Sequence, residues 1–288
     1  MVGPTLEIAL KSREAFSGEL IDGALVFSTE EEVMAREVRV ALEGEERTRV
    51  RSSRPGLDRL ILPSMGYIGQ RREIPGVERI LTEKRRIEPP GTRIPFSLRA
   101  PVDALPSYAG RFSRISWVLK ARISKDPPPD LLQIAEVTMF SRGEDTEAQI
   151  AMSPEGAAVG LSLEVEGCKV QPDAHITGWI TISKLKRKPR EITIEMLAHE
   201  VARAKSRGWQ EIEVKDTLLA KQRVFVKEEM VVGARKAFDL DAPGDLPPLY
   251  RGEWSSVDIL LRAVAKIPLR PNISVTIPLR ARGAPPSL

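Results

Sequence analysis

The second half of this chain repeats the first, and that most constrains what it can fold into. Ile94–Pro101 reads Ile-Pro-Phe-Ser-Leu-Arg-Ala-Pro, and Lys236–Pro243 reads Lys-Ala-Phe-Asp-Leu-Asp-Ala-Pro. At a constant offset of 142, Gly91, Phe96, Leu98, Pro101, Pro106, Tyr108 and Gly110 meet Gly233, Phe238, Leu240, Pro243, Pro248, Tyr250 and Gly252. Without a gap, Phe112, Ile115, Leu119 and Ala121 then fall on Trp254, Val257, Leu261 and Ala263. The openings also align: at an offset of 155, Leu6, Ile8 and Leu10 meet Leu161, Leu163 and Val165, and Ile21, Gly23 and Ser28 meet Ile176, Gly178 and Ser183. At 154, Arg36-Glu37-Val38 meets Arg190-Glu191-Ile192. A repeat of this length is a duplicated domain, each copy large enough to bury its own core. The step from 154 to 142 leaves 12 extra residues in the first copy, between about Gly44 and Gly91. The expected domains are residues 1–145 and 146–288, with the boundary in the stretch Phe140–Gly160.

The matched segments read as strands. Ile176, Gly178, Ile180 and Ile182 alternate with Thr177, Trp179 and Thr181, a period of two that puts one set on a buried face. Val38, Val40 and Leu42 alternate in the same way, as do Ile192, Ile194 and Met196. Good helix formers fill Glu30–Glu46 and Glu195–Lys205. Alternation in both copies argues against helix at 36–42 and 190–196, while Ala198–Lys205 stays open between the two. Pro127-Pro128-Pro129 stops pairing between the strand ending near Ile123 and the segment Leu131–Val137. The tail Arg280–Leu288, with Gly283, Pro285 and Pro286, is expected to be loose. The fold class is therefore all-β: two tandem immunoglobulin-like β-sandwich domains from an internal duplication.

These residues resemble the arrestin-like superfamily. Gly18-Glu19-Leu20-Ile21-Asp22-Gly23-Ala24-Leu25-Val26 looks like the family's opening strand pair. Pro90-Gly91, Phe96-x-Leu98-x-x-Pro101, Leu105-Pro106-Ser107-Tyr108 and Ile115-x-Trp117-x-Leu119-x-Ala121 look like its late-strand signature, with Trp117 where the family often has Tyr. The second half departs by having Leu249 where Ser107 stands, and by lacking a Gly-Glu pair before Gly178. Similar proteins include animal arrestins, the cargo-binding retromer subunit and arrestin-like sporulation-control proteins. The resemblance implies arrestin-type sandwiches, partner binding and no chemistry. It also makes Asp22 a candidate switch residue, and Lys11 and Arg13 candidate phosphate-sensing residues; the plain alternatives are a turn before Gly23 and exposed charges at a strand end. Fold alone does not fix function.

Composition excludes several classes. With 42% apolar and 29% charged residues the chain is neither disordered nor a membrane protein. No apolar run approaches the roughly 18 residues of a membrane span. Glu7 and Lys11 interrupt the start where a signal peptide would lie. A net charge of +4 is too small for a nucleic-acid binder, so no nucleic acid is expected. The single cysteine, Cys168, excludes an internal disulfide framework and fits a reducing compartment; the expected location is cytoplasmic. The only histidines, His175 and His199, have no metal spacing and read as surface or strand-edge residues. Asp239-x-Asp241 puts two carboxylates on one strand face, a weak cation site or, the reading favoured for want of further oxygen ligands, a solvated face. There is no Gly-x-Ser-x-Gly elbow, phosphate-cradling loop or His-Glu-x-x-His. No catalytic residue, metal or cofactor is expected.

Charge placement is more informative. Arg47, Arg49, Arg51, Arg54, Arg59, Arg71 and Arg72 face one acid, Asp58, in a stretch that also holds Met65 and Tyr67. Arginine binds carboxylate or phosphate groups bidentately, so this stretch is a candidate partner-binding surface; the competing reading is a solvated hairpin. Lys184, Lys186, Arg187, Lys188 and Arg190 make a basic turn whose counterpart in the first copy, Thr29–Ala35, is acidic. Such turns can dock on a protein partner, a phosphorylated segment, an anionic membrane surface or another copy of the chain, or be merely solvated. The function these features favour is a non-enzymatic protein-binding adaptor or scaffold. Alternatives are a self-associating regulatory protein of the sporulation-control type and a ligand- or carbohydrate-binding sandwich. Against the last, Trp117, Trp179 and Trp254 lie at strand positions that look like core.

Overall fold

A computed structural model describes residues 3–51, 67–141, 144–167, 169–206 and 209–279. Arg54, Arg59, Asp58, Met65, Cys168 and the tail 280–288 lie outside the described residues. The chain forms two compact units. Unit 1 is Met1–Arg142 with Ala202–Glu213 and Tyr250–Ser255; unit 2 is Gly143–Val201, Val214–Leu249 and Ser256–Leu288. Among the described residues no helix is long and apolar enough to cross a membrane.

The first half runs β1 (Thr5–Leu10), β2 (Glu14–Phe16), β3 (Leu20–Ser28), β4 (Val33–Arg51), β5 (Tyr67–Ile87), β6 (Gly91–Arg99), β7 (Tyr108–Ala109), β8 (Ser113–Asp126) and β9 (Leu131–Phe140). One sheet has the order β1-β3-β6, the other β2-β9-β8-β4-β5 with β7 also on β8. Their inner faces are the alternate positions that the sequence marks as apolar. Ile21, Leu25 and Phe27 come from β3, and Val38, Val40 and Leu42 from β4. Ile115, Trp117, Leu119, Ala121 and Ile123 are the buried face of β8. Trp117 is 1% exposed, and its indole N–H donates to the Leu105 carbonyl at 2.8 Å, so a large apolar side chain is buried without stranding its one polar atom.

The second half runs β10 (Glu144–Asp145), β11 (Gln149–Met152), β12 (Val159–Val165), β13 (Lys169–Val170), β14 (His175–Leu185), β15 (Glu191–Ser206), β16 (Trp209–Val226), β17 (Arg235–Asp241), β18 (Tyr250–Arg251), β19 (Ser255–Lys266) and β20 (Ile273–Leu279). A 3-10 turn, Lys227–Glu229, follows β16. One sheet has the order β11-β12-β14-β17; in the other β16, β15 and β19 are consecutive and β20 pairs with β19. The core of unit 2 joins both sheets, with Ile176, Ile180 and Phe238 on one side and Ile192, Ile194, Ile259 and Val275 on the other. Residues 198–205, open in the sequence, are strand: they continue β15.

The repeat is thus a repeat of strand pairing. β3 lies on β1 and β6 as β14 lies on β12 and β17. Gly23 stands opposite Phe96, and Gly178 opposite Phe238. A Cβ on either glycine would come within 2.7 Å of the Phe ring, so the shared glycine is the space its shared aromatic fills. Gly91 and Gly233 both have φ in the left-handed region, +127° and +88°, where other residues are strained. The extra residues of the first copy lie in the β4–β5 hairpin, where 52–66 join two strands of 19 and 21 residues. β8 and β9 are separated by the three prolines, as expected.

Candidate functional site

The arginine-rich stretch lies on the β4–β5 hairpin. Val33–Arg51 alternates so that Leu42, Val50 and their neighbours face inward and the arginines outward. Arg47 and Arg71 both reach the carboxylate of Glu45. Arg72 pairs with Glu253 at 3.0 Å, and the Arg49 guanidinium lies 4.3 Å over the Tyr67 ring. Arg51 is exposed; its backbone N–H donates to Glu213 at 2.7 Å. Arg47 and Arg71 share the one carboxylate of Glu45, so that trio is net positive, while the Tyr67 face is already covered by a guanidinium. β5 closes one end of its sheet and forms its ladder with β4. Pro75 and the register shift at Leu42/Gly44 divide this edge into residues 67–74 and 77–87.

The basic turn connects β14 to β15, the position at which Thr29–Glu32 connects β3 to β4. Lys186, Arg187 and Lys188 are exposed, and Arg190 is exposed just before β15. Lys184 folds back, donating to the Glu155 carbonyl at 2.9 Å. Beside the turn is a groove of about 780 Å³ in unit 2, lined by Lys188, Arg190, Arg223, Lys227 and Lys266 and by Glu191 and Glu228. Lys266 bonds Glu191 at 2.6 Å. That hydrogen bond, aided by the charges of Lys266, Arg223 and Lys221, holds the Glu191 carboxyl below the usual range against a smaller opposing effect of burial. The sequence shows the turn but not Arg223, Lys227 and Lys266, which three separate elements bring to it.

Asp22 corrects an expectation. It is not in a turn but inside β3, opposite Ser97 of β6. Its carboxylate lies 3.1 Å from Lys11 Nζ. Hydrogen bonds from Ser97, then Lys11, lower its pKa. The pair is solvent-facing, with 78% of Lys11 and 37% of Asp22 exposed, so this aspartate is not a buried polar-core residue. Arg13 is exposed beside β2, and its carbonyl accepts from the Thr138 N–H at 2.7 Å.

Tryptophan placement is also corrected. Trp117 is core, but Trp179 is 37% exposed under the Arg235 guanidinium, because it falls on the outward phase of β14. Trp254 is half-buried in the turn before β19, with the Lys205 ammonium 5.4 Å from its ring. The histidines divide: His175 is exposed at the start of β14, while His199 is half-buried within β15, an inner strand, and bonds Asp216 at 2.7 Å. Of the two readings, surface or strand edge, His199 is therefore not at an edge.

Two features escaped the sequence, and a third was visible only as the pair Asp239 and Asp241. Glu46 is 0% exposed, yet its carboxylate accepts from the backbone N–H groups of Glu253, Trp254 and Ser255 at 3.2, 3.1 and 2.8 Å and from Ser255 Oγ at 2.7 Å. These residues belong to unit 1. A Cβ at Gly252 would lie 2.3 Å from this carboxylate, so glycine permits the approach. In unit 2, Glu195 is buried between Lys221 (2.6 Å) and Arg262 (2.9 Å). Burial raises its pKa, but hydrogen bonds and charge from Lys221 and Arg262 outweigh it, and the net shift is downward. Finally, His175 joins Asp239 and Asp241 across the β14–β17 ladder, one ligand atom from each lying within 4.8 Å of the others. All three side chains are solvent-exposed, so these are the residues that could hold a divalent ion, loosely.

Residues 6–138 match the family model described as arrestin (or S-antigen), N-terminal domain. A comparison with curated proteins found no match.

Proposed function

We propose, from the match of residues 6–138 to the arrestin N-terminal domain family, that the chain is a non-enzymatic adaptor binding protein segments in the cytoplasm. On this reading residues 1–145 and 146–288 are two arrestin-like domains, and the working surface is the β4–β5 hairpin. The observation that carries it is the position of β5. This strand of 21 residues ends its sheet, and before Pro75 it bears Tyr67, Arg71 and Arg72. An extended segment can add to such an edge through main-chain hydrogen bonds, with alternate side chains setting specificity. The arginine excess favours an acidic or phosphorylated segment.

Affinity capture from the native cell tests this with the full chain and with a variant carrying Arg47→Ser, Arg71→Ser and Arg72→Ser. The expected result is a specific protein retained by the parent and lost by the folded variant. Equal retention by both would remove the hairpin from the reading.

A further inference from the structure

In unit 2 the basic turn and three other elements converge on one groove. Five cations line it, Lys188, Arg190, Arg223, Lys227 and Lys266, against the carboxylates Glu191 and Glu228. Lys186 and Arg187 extend the positive surface along the adjoining turn, and both are exposed. The equivalent turn of the first copy has the opposite sign. There Thr29 Oγ1 accepts from the Glu31 N–H at 3.3 Å and donates to the Glu31 carbonyl at 2.6 Å, a local bond that sets the turn. Glu30 and Glu31 are exposed and have no ion pair among the described residues, while Glu32 is paired with Arg86.

We propose that this groove receives the acidic turn 29–32 of a second copy of the chain, so that the protein associates head to tail. Equivalent turns of a duplicated domain carry opposite unpaired charge, and the basic one opens on a groove with cations in excess. Chance solvated charge explains exposed lysines on a turn. It does not explain why Arg223 and Lys227 stand beside them with Lys266, which Glu191 already holds. The interface is heterologous, because the two surfaces differ, so assembly gives rings or open chains. Contacts between exposed charges are weak and screened within about 10 Å at 0.1 M salt, so association should be salt-sensitive. This inference does not depend on the adaptor reading, whose surface is the β4–β5 hairpin.

Sedimentation velocity of the full chain over a concentration series, at low and at high salt, tests it. The expected result is concentration-dependent association at low salt that disappears at high salt. The double change Glu30→Lys, Glu31→Lys and the triple change Lys186→Glu, Arg187→Glu, Lys188→Glu should each weaken association by about tenfold or more. Mixing the two variants should restore it, since every native surface then meets its complement or a reversed pair. All five positions are exposed, so an unchanged unfolding midpoint verifies folding. A monomer under every condition would overturn the proposal, as would association indifferent to either reversal or a mixture that stays monomeric. Calorimetric binding of pyrophosphate to a chain that remains monomeric would also overturn it, making the groove a small-anion site.

Discussion

Single residues in this protein are held by partners that are remote in sequence. Glu46 is the clearest case: its buried carboxylate is satisfied by N–H groups 207 to 209 positions away. Glu46→Gln presents an amide to those donors, and should destabilise the protein by about 2–3 kcal/mol in urea unfolding. The exposed control Glu73→Gln should change stability by less than about 0.5 kcal/mol. Nothing local in Leu42–Arg51 marks Glu46, since its neighbours are also charged. Glu195 was equally hidden, and it supplies a pH signature. Its folded-state pKa lies below the ordinary 4.5. Its ionised form therefore contributes stability above that ordinary value, and the contribution is lost as pH falls through the depressed folded pKa. The stability gap between the parent and Glu195→Gln should be widest near neutral pH and close under acid, measured by thermal unfolding. The arginines of the hairpin were legible as a cluster. Their pairing to Glu45 and Glu253 was not, because partner choice depends on strand register.

At the scale of the element, alternation told most of the story. Period two identified β4, β14 and the start of β15, and its persistence in both copies overrode helix-forming composition. It left residues 198–205 open, where Ala-His-Glu-Val-Ala-Arg-Ala-Lys follows no clean alternation of hydrophobicity. The structure continues β15 there, with Ala202 and Ala204 packed beside Val50 in unit 1. Small apolar residues carry little pattern, and tertiary packing decides such a segment. Phase mattered as much as period: the alternation that buries Ile176, Ile180 and Ile182 puts Trp179 outside, so its apolar bulk alone misplaced it. The paired glycines give an element-level prediction. Gly178→Ala would bring a Cβ to 2.1 Å from the Glu164 carbonyl as well as onto Phe238, whereas Gly23→Ala meets Phe96 and the Ala9 carbonyl at 2.7–2.8 Å. Both should lower thermal stability, by about 1–3 kcal/mol for Gly23→Ala and more for Gly178→Ala, where the overlap with backbone is deeper.

For the whole molecule, one duplicated pattern yields two copies of one strand-pairing scheme, and the matched family covers residues 6–138 of the first. What the copies share, the glycine–phenylalanine crossings and the left-handed glycines, is what a sandwich requires. What they do not share is surface: the arginine-bearing β5 edge and the opposite charges of equivalent turns. The sequence exposes those differences directly, because an alignment of the halves cancels the structural residues. It does not show that β5 ends its sheet, which is a property of pairing. The adaptor reading rests on that edge. Hydrogen exchange of the full chain, alone and with the protein segment identified by capture, tests it most directly. The expected result is slowed amide exchange confined to β5 residues 67–74, where an added strand would bond. Unchanged exchange along β5, with protection appearing elsewhere, would contradict it.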